Sequence, residues 1–408
     1  MILTWFKVRW SININFVIAN YIIDVKENNM GIFDFLKKKK VESSVKIDIS
    51  VKSPDIESST EVFEPISLEI LLADAIPSKQ GLYPHEILML EYAPTFKISN
   101  NYFQQFWYYQ YSVKNPQAVL DSLYEKGFIA EGDLKDALEK LKVSEIKEEL
   151  KHINQKVTGK KAELIDRLMV NADIDYLNRK YSERYFVCTF KGEQELKDNQ
   201  YVSYLHRKKY MSVWEMNKKI ADTHYPYRDI LWGYFNEQSG IQFQNYDFGL
   251  YRNTRLNMYQ FLMEENKPKT AFSLLCEVLS FDLSGLGNSE KYLFESERTD
   301  PKFYLMMYDS KSKHYFPYEN TSLIIPPAVL GWFVEVQDIL GLDDDEFKVA
   351  LLEELGKVNP PQKIFTDEEC ADILIATIHE DVDILSEIYS KAEKRENKRI
   401  KEIKSKIR

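Results

Sequence analysis

The sequence predicts a mainly α-helical, multi-domain chain with one helix-loop-helix hairpin and a minor β element near residues 184–190. Three observations predict it. Apolar residues recur at helical spacing through most of the chain, as at Val143, Ile146, Leu150 and Ile153. Helix-start signals accompany these runs: Ser212-Val213-Trp214-Glu215 and Thr366-Asp367-Glu368-Glu369 both have capping-box spacing. One run, Arg184-Tyr185-Phe186-Val187-Cys188-Thr189-Phe190, is instead dense in β-prone residues.

Composition narrows the class. A chain of 408 residues suggests roughly two to four folded units. Its 44% hydrophobic and 29% charged content excludes a wholly disordered chain. No run of about 18 apolar residues occurs, so no membrane-spanning helix and no membrane partner is expected. Cys188, Cys276 and Cys370 lie far apart and form no CxxC, which fits reduced thiols and a cytoplasmic location. The net charge of −10 disfavours a uniform nucleic-acid coat, so any such binding has to come from a local basic patch.

Residues 1–29 read as a leader or a disordered stretch. Asn13, Asn15 and Asn20 interrupt any signal-peptide core, and a second start is visible at Met30. The codons AAG-GAG for Lys26-Glu27 would spell a bacterial ribosome-binding site just upstream of it. Residues 30–64 hold the basic run Lys37 to Lys40, then a Ser-rich stretch with Pro54 that reads as a flexible linker.

Residues 65–135 read as a helical domain with winged-helix-like features. Pro84 suits a first helical position, and Gly127 stops the helix that begins near Ala118. Phe103, Phe106 and Trp107 fall on one helical face and read as core.

Residues 136–175 carry the strongest signal. Val143, Ile146, Leu150 and Ile153 line one face of a first helix; Leu164, Ile165 and Leu168 line one face of a second. Thr158-Gly159 ends the turn between them, and Thr158 is expected to cap the second helix. Between residues 151 and 161 stand Lys151, Lys156, Lys160 and Lys161 without an acid. Lys160 and Lys161 flank a helix N-terminus, whose free N–H groups and dipole attract phosphate. Contact of these four lysines with phosphates predicts a log–log salt slope of about −3.6 on duplex DNA. Gly159-Lys160 is not a P-loop, which would need glycine where Asn154 stands and Ser or Thr where Lys161 stands.

This segment, residues 141–168, resembles a SAP domain of bacterial or phage type. The matching pattern is Val143, Ile146, Leu150, Val157, then Gly159-x-Lys161-x-x-Leu164-x-x-Arg167-Leu168. Lys142 stands where a threonine often caps the first helix, and Ile153-Asn154 replaces the usual glycine-leucine of the loop. The resemblance implies a helical hairpin that contacts the backbone of double-stranded DNA, with RNA as an alternative. Carried onto this chain, the implied contact set is Lys151, Lys156, Thr158, Gly159, Lys160, Lys161 and Arg167.

Residues 176–205 read as a strand-turn-helix connector, with Lys191-Gly192 after the strand. Residues 206–320 read as an aromatic-rich helical domain containing a helical pair over 251–265 and 268–281 and a looped connection over 283–296. Residues 321–408 read as a helical region with a basic tail. Asp343-Asp344-Asp345-Glu346 is expected to cap and charge a helix start, and His379-Glu380-Asp381-x-Asp383 to form a polar turn, rather than either being a metal site. Over 391–408, Ile400, Ile403 and Ile407 form a stripe on a basic helix whose removal is expected to cost little stability.

Six scattered histidines, with no HExxH and no GxSxG, point away from an enzyme, and no cofactor is expected. The function expected is duplex DNA binding through the hairpin, with the helical body positioning an unidentified protein partner. The alternatives are a protein-interaction scaffold in which the hairpin is purely structural, and a nucleic-acid-processing enzyme.

Overall fold

Twenty α-helices and one two-stranded antiparallel sheet account for nearly all regular structure in the computed structural model, which describes residues 65–99 and 101–407. The leader and linker expectations for 1–64 lie outside the described residues. Among the described residues no helix is long and apolar enough to cross a membrane.

The first helices are α1 (Leu68–Asp74), α2 (Pro84–Tyr92), α3 (Phe106–Tyr109) and α4 (Pro116–Glu125). Ser67 caps α1, and Pro84 and Pro116 sit at helix starts where a missing N–H costs nothing. α3 is a single turn, yet it seats Trp107 at 1% exposure, with Phe103 and Phe106 packed beside it. Strand β1 (Ile129–Glu131) follows, a strand not expected from the sequence pattern.

Next comes an inserted unit of four helices: α5 (Leu134–Glu139), α6 (Val143–His152), α7 (Lys161–Asn171) and α8 (Ile174–Lys180). It has its own core of Leu134, Leu138, Ile146, Leu150, Leu164, Ile165, Leu168 and Leu177. The chain then returns as β2 (Phe186–Cys188), which pairs with β1 in the register Ile129↔Cys188.

Residues 186–205, expected as a connector, instead complete the first unit. After β2 come α9 (Phe190–Asp198), α10 (Gln200–Lys208), α11 (Val213–Thr223) and α12 (Tyr227–Gln244). Phe186, Tyr201, Val202 and Leu205 share one core with Leu88, Trp107, Leu120 and Phe128. Thr189 caps α9, and Gly192 lets that helix press onto β1, since a Cβ there would lie 2.2 Å from the Phe128 carbonyl oxygen. Ser212 precedes α11 as expected, but its hydroxyl makes no capping bond.

The rest is all helix: α13 (Phe248–Glu264), α14 (Pro268–Asp282), α15 (Lys291–Thr299), α16 (Pro301–Ser312), α17 (Pro327–Leu340), α18 (Asp344–Leu355), α19 (Asp367–Ile378) and α20 (Val382–Ile407). α13 and α14 are the helical pair expected from the sequence. α13 joins the two large cores, placing Met258 and Phe261 in the first and Tyr259 and Leu262 in the second. The looped connection ends at Glu290, where α15 begins, earlier than residue 296. Asp343 and Thr366 cap α18 and α19 with reciprocal bonds from Glu346 and Glu369. His379 lies in the turn before α20 and meets Asp344 at 2.8 Å.

The C-terminal tail is docked, against the expectation of a dispensable helix. Ala392 is fully buried in the second core, and Ile400 packs with Leu293, Tyr304, Leu305 and Tyr308. Glu396, 5% exposed, accepts from the Tyr308 hydroxyl, and Arg399 donates to the Tyr304 hydroxyl at 2.8 Å. A stripe spaced for one helix face says nothing by itself about what covers it; here α16 does.

Candidate nucleic-acid interface

The basic edge is held by a small scaffold in which each exposed lysine follows a locally fixed segment. α6 starts at Lys142, whose N–H donates to Glu145 Oε2 at 2.6 Å. The glutamate three residues on takes the N–H of the N-cap residue itself, and no side chain at 142 caps the first-turn N–H groups as a threonine would. Of the expected apolar stripe, Ile146 and Leu150 are fully buried, while Val143 is 39% exposed at the helix start. Asn154 ends the helix in the left-handed region at φ +55°, and Gln155 N–H bonds back to the Leu150 carbonyl at 2.8 Å. This is the closing pattern glycine usually supplies, and asparagine is among the few other residues that tolerate it. The replaced loop glycine is thereby compensated one position later.

The loop 155–160 is strapped from the opposite helix. Arg167 donates to the carbonyls of Lys156 at 2.6 Å and Thr158 at 3.2 Å. Thr158 does not cap α7. The N-cap residue is Lys160, whose N–H is taken by Glu163 Oε2 at 3.2 Å. Gly159, at φ +136°, makes room for that carboxylate, since a Cβ there would stand 2.6 Å from Glu163 Oε2. Glu163 therefore sits at the helix end expected to attract phosphate and competes with any anion there. The Lys160-x-x-Glu163 spacing carried that signal in the sequence.

The seven expected contact residues divide into two groups. Lys151, Lys156, Thr158, Gly159 and Lys160 are exposed along the α6 end and the loop, joined by His152, which the sequence reading passed over. No carboxylate of the described residues lies within 4.0 Å of Lys151, Lys156 or Lys160. Lys161 and Arg167 are instead engaged in the hairpin. Lys161 Nζ donates to the Glu139 carbonyl at 2.6 Å, closing the C-terminus of α5, and Arg167 braces the loop. Three free ammonium groups rather than four then face solvent on this edge.

The far end of the unit is pinned by a buried acid. Glu149, on α6, accepts from Lys180 at 2.5 Å and from the Tyr181 hydroxyl at 2.8 Å. Burial pushes the Glu149 carboxyl up, but the bonds from Lys180 and Tyr181 outweigh it and hold the group below its ordinary value. Burial, then the bond to Glu149, pushes the Tyr181 phenol up to about 12. Where the insertion leaves and rejoins the body, Gly132 N–H donates to the Tyr185 carbonyl at 2.8 Å, and Lys140 Nζ lies 5.6 Å from the Tyr185 ring centroid.

Among the described residues no three His, Cys, Asp or Glu side chains come together as metal ligands. The arrangement is a rigid helix-loop-helix with a lysine-bearing, acid-poor loop edge, built as an insertion in a helical body. That class of module is suited to backbone contact with a polyanion. Comparison with known families agrees: a SAP domain is matched at residues 137–169, a match that suggests nucleic-acid binding. Searches of curated proteins and of solved structures returned no match.

Proposed function

We propose that the chain binds duplex DNA through the phosphate backbone, using Lys151, Lys156 and Lys160 on the loop edge of its SAP domain. The supporting observation is that Lys151, Lys156 and Lys160 are exposed, with no carboxylate within 4.0 Å among the described residues, at the end of α6 and along the loop of the matched segment. His152 adds a further donor there. Lys161 ties α7 to the end of α5, and Arg167 holds the loop in shape. The helical body positions a protein partner, and the chain contributes no catalytic step and needs no cofactor. A cytoplasmic location in a bacterial or phage-infected cell belongs to the same reading.

Three phosphate contacts imply a log–log salt slope of about −2.7, shallower than four contacts would give. The test is binding of the full chain to duplex DNA of mixed sequence, titrated across salt. The Lys156→Glu/Lys160→Glu variant should lose affinity for all duplexes alike and flatten the slope by about 1.8. Wild-type affinity in that variant at low salt would overturn the DNA reading and leave the scaffold. Single-stranded RNA bound in preference to duplex DNA would redirect it to RNA. Nucleic acid cut in the presence of magnesium, by wild type but not by a point variant, would make the chain an enzyme.

A further inference from the structure

Helix α20 is docked along one side and carries a row of lysines along the other. Over residues 391–408 there are nine Lys or Arg and three acids, in a chain whose net charge is −10. Ala392, Glu396 and Ile400 face the body and are buried. Lys394, Lys398 and Lys401 fall within about 60° of one another on the opposite side of the helix and climb about 10 Å along its axis. All three are exposed, and among the described residues none has a carboxylate within 4.0 Å. The cations beside them are paired: Lys391 with Glu387, Arg395 with Glu369 and Arg399 with Glu396. Glu393 is half-buried on one flank, and Glu402 is an exposed acid on the other, beside Lys398 but not bonded to it.

Neither structural use of a helix lysine accounts for these three. A lysine offsets the negative end of a helix only within its last turn, and all three stand earlier than the turn that reaches Ile407. A lysine that steadies a helix pairs with an acid three or four residues away, as Lys391 does with Glu387 at 2.7 Å. Lys394 instead has Lys398 four residues on, and Lys398 has Lys401 three residues on, like charges that weaken a helix. A row of negative charge relieves that repulsion. An anionic membrane surface is a poor fit, because it would also need the apolar face of α20, and Ile400 and Ile403 are packed against Leu293, Tyr304, Leu305 and Tyr308. The phosphates of a nucleic-acid strand ask only for the exposed cations, and the same chain carries the SAP match that suggests nucleic-acid binding.

We infer that Lys394, Lys398 and Lys401 form a second contact with the phosphate backbone of the duplex that the hairpin holds. The identity of the polyanion rests on the nucleic-acid reading of the hairpin; the lysine row itself does not. Three lysines hold a duplex weakly by themselves, so this face adds to binding that the hairpin begins and does not replace it.

The test titrates the full chain with one long mixed-sequence duplex across salt, comparing wild type with Lys394→Gln/Lys398→Gln/Lys401→Gln. The variant should bind about tenfold or more weakly at about 0.1 M salt. Its log–log slope should settle at about −2.7, the share of the hairpin, from a wild-type value steeper by about 2.7. Its melting temperature should be unchanged or higher, since like charges have been removed. Lys79→Gln/Lys114→Gln/Lys269→Gln makes the same charge change at exposed lysines elsewhere and should have little effect. Equal losses in the two triple variants, or a wild-type slope kept by the α20 variant, would overturn the proposal. A lowered melting temperature would also overturn it, by making the three lysines part of the fold. Polyglutamate bound more tightly than the duplex by wild type, and lost in the α20 variant, would replace the duplex with an acidic protein segment. The Lys156→Glu/Lys160→Glu variant separates the two readings. Loss of binding there with none in the α20 variant removes this contact and keeps the hairpin; loss in the α20 variant alone removes the hairpin and keeps the lysine row as a DNA contact.

Discussion

Lys160 and Lys161 are neighbours with different tasks. Lys160 presents its ammonium to solvent from the N-cap position, while Lys161 reaches across to the Glu139 carbonyl. Lys160→Ala should therefore weaken DNA with no change in melting temperature. Lys161→Ala should lower the stability of the inserted unit by about 1 kcal/mol, having removed a helix-end partner; comparing the two by thermal melting and DNA titration separates the roles. Glu149 gives a pH signature. Its folded-state value lies below the unfolded one near 4.5, so its contribution is present above that pH and is lost as the solution is acidified through the folded value. Glu149→Gln should thus destabilise at pH 7 by about 1–2 kcal/mol, a figure limited by the half-exposed Lys180. The gap should narrow and then close as the solution is acidified below the unfolded value near 4.5 and through the folded one, which melting curves recorded at pH 7 and in acid will show. These pairings were not legible in the sequence, since Glu149 and Lys180 stand on different helices and only their packing brings them together.

At the scale of the element, the SAP unit is a cassette with its own core whose two ends meet at the Gly132–Tyr185 hydrogen bond. Replacing residues 133–184 by an Asn-Gly turn should leave β1 paired with β2 and the body folded, because a two-residue turn matches the twist of adjacent antiparallel strands. Melting of that variant within a few degrees of wild type, with DNA binding abolished, is the expected result; collapse of the body would show that the cassette supports it. Leu164→Asp places a charge among fully buried side chains and should unfold the cassette, costing about 4 kcal/mol or more. The hairpin's two helices were readable because their periodicity and spacing are local. That it lies between two strands was not, because β1 is three residues long and is a strand only by virtue of β2.

At the scale of the whole molecule, the C-terminal helix closes the fold. Deleting 391–408 removes Ala392 from the second core, the Arg395–Glu369 ion pair, and the Glu396 and Arg399 bonds to α16. The expected loss is about 4 kcal/mol or more, or ~10 °C by differential scanning calorimetry. Two buried histidines set the acid limit. Burial lowers His85 to about 4 and His206 to about 3, the second lying between the hydroxyls of Tyr111 at 2.9 Å and Tyr92 at 3.1 Å. Each is neutral when folded and gains a proton more readily when unfolded. Stability should therefore fall as pH drops below about 6.5, before the carboxylates titrate. His206→Gln should flatten melting temperature against pH between 6.5 and 5.

The sequence by itself determined the helical class, the caps at Asp343 and Thr366, the helical pair α13–α14 and the hairpin. Each is written in contacts three or four residues apart, and such contacts survive without knowing what lies opposite. Only the tertiary structure decided that residues 186–205 belong with residues 82–131, that the basic tail is buried along one side, and that Lys161 and Arg167 serve the hairpin while Lys151, Lys156 and Lys160 stand free. The physical reason is common to all three. Charge and apolarity state what a side chain requires, but which partner meets that requirement depends on segments distant in sequence and adjacent only after folding.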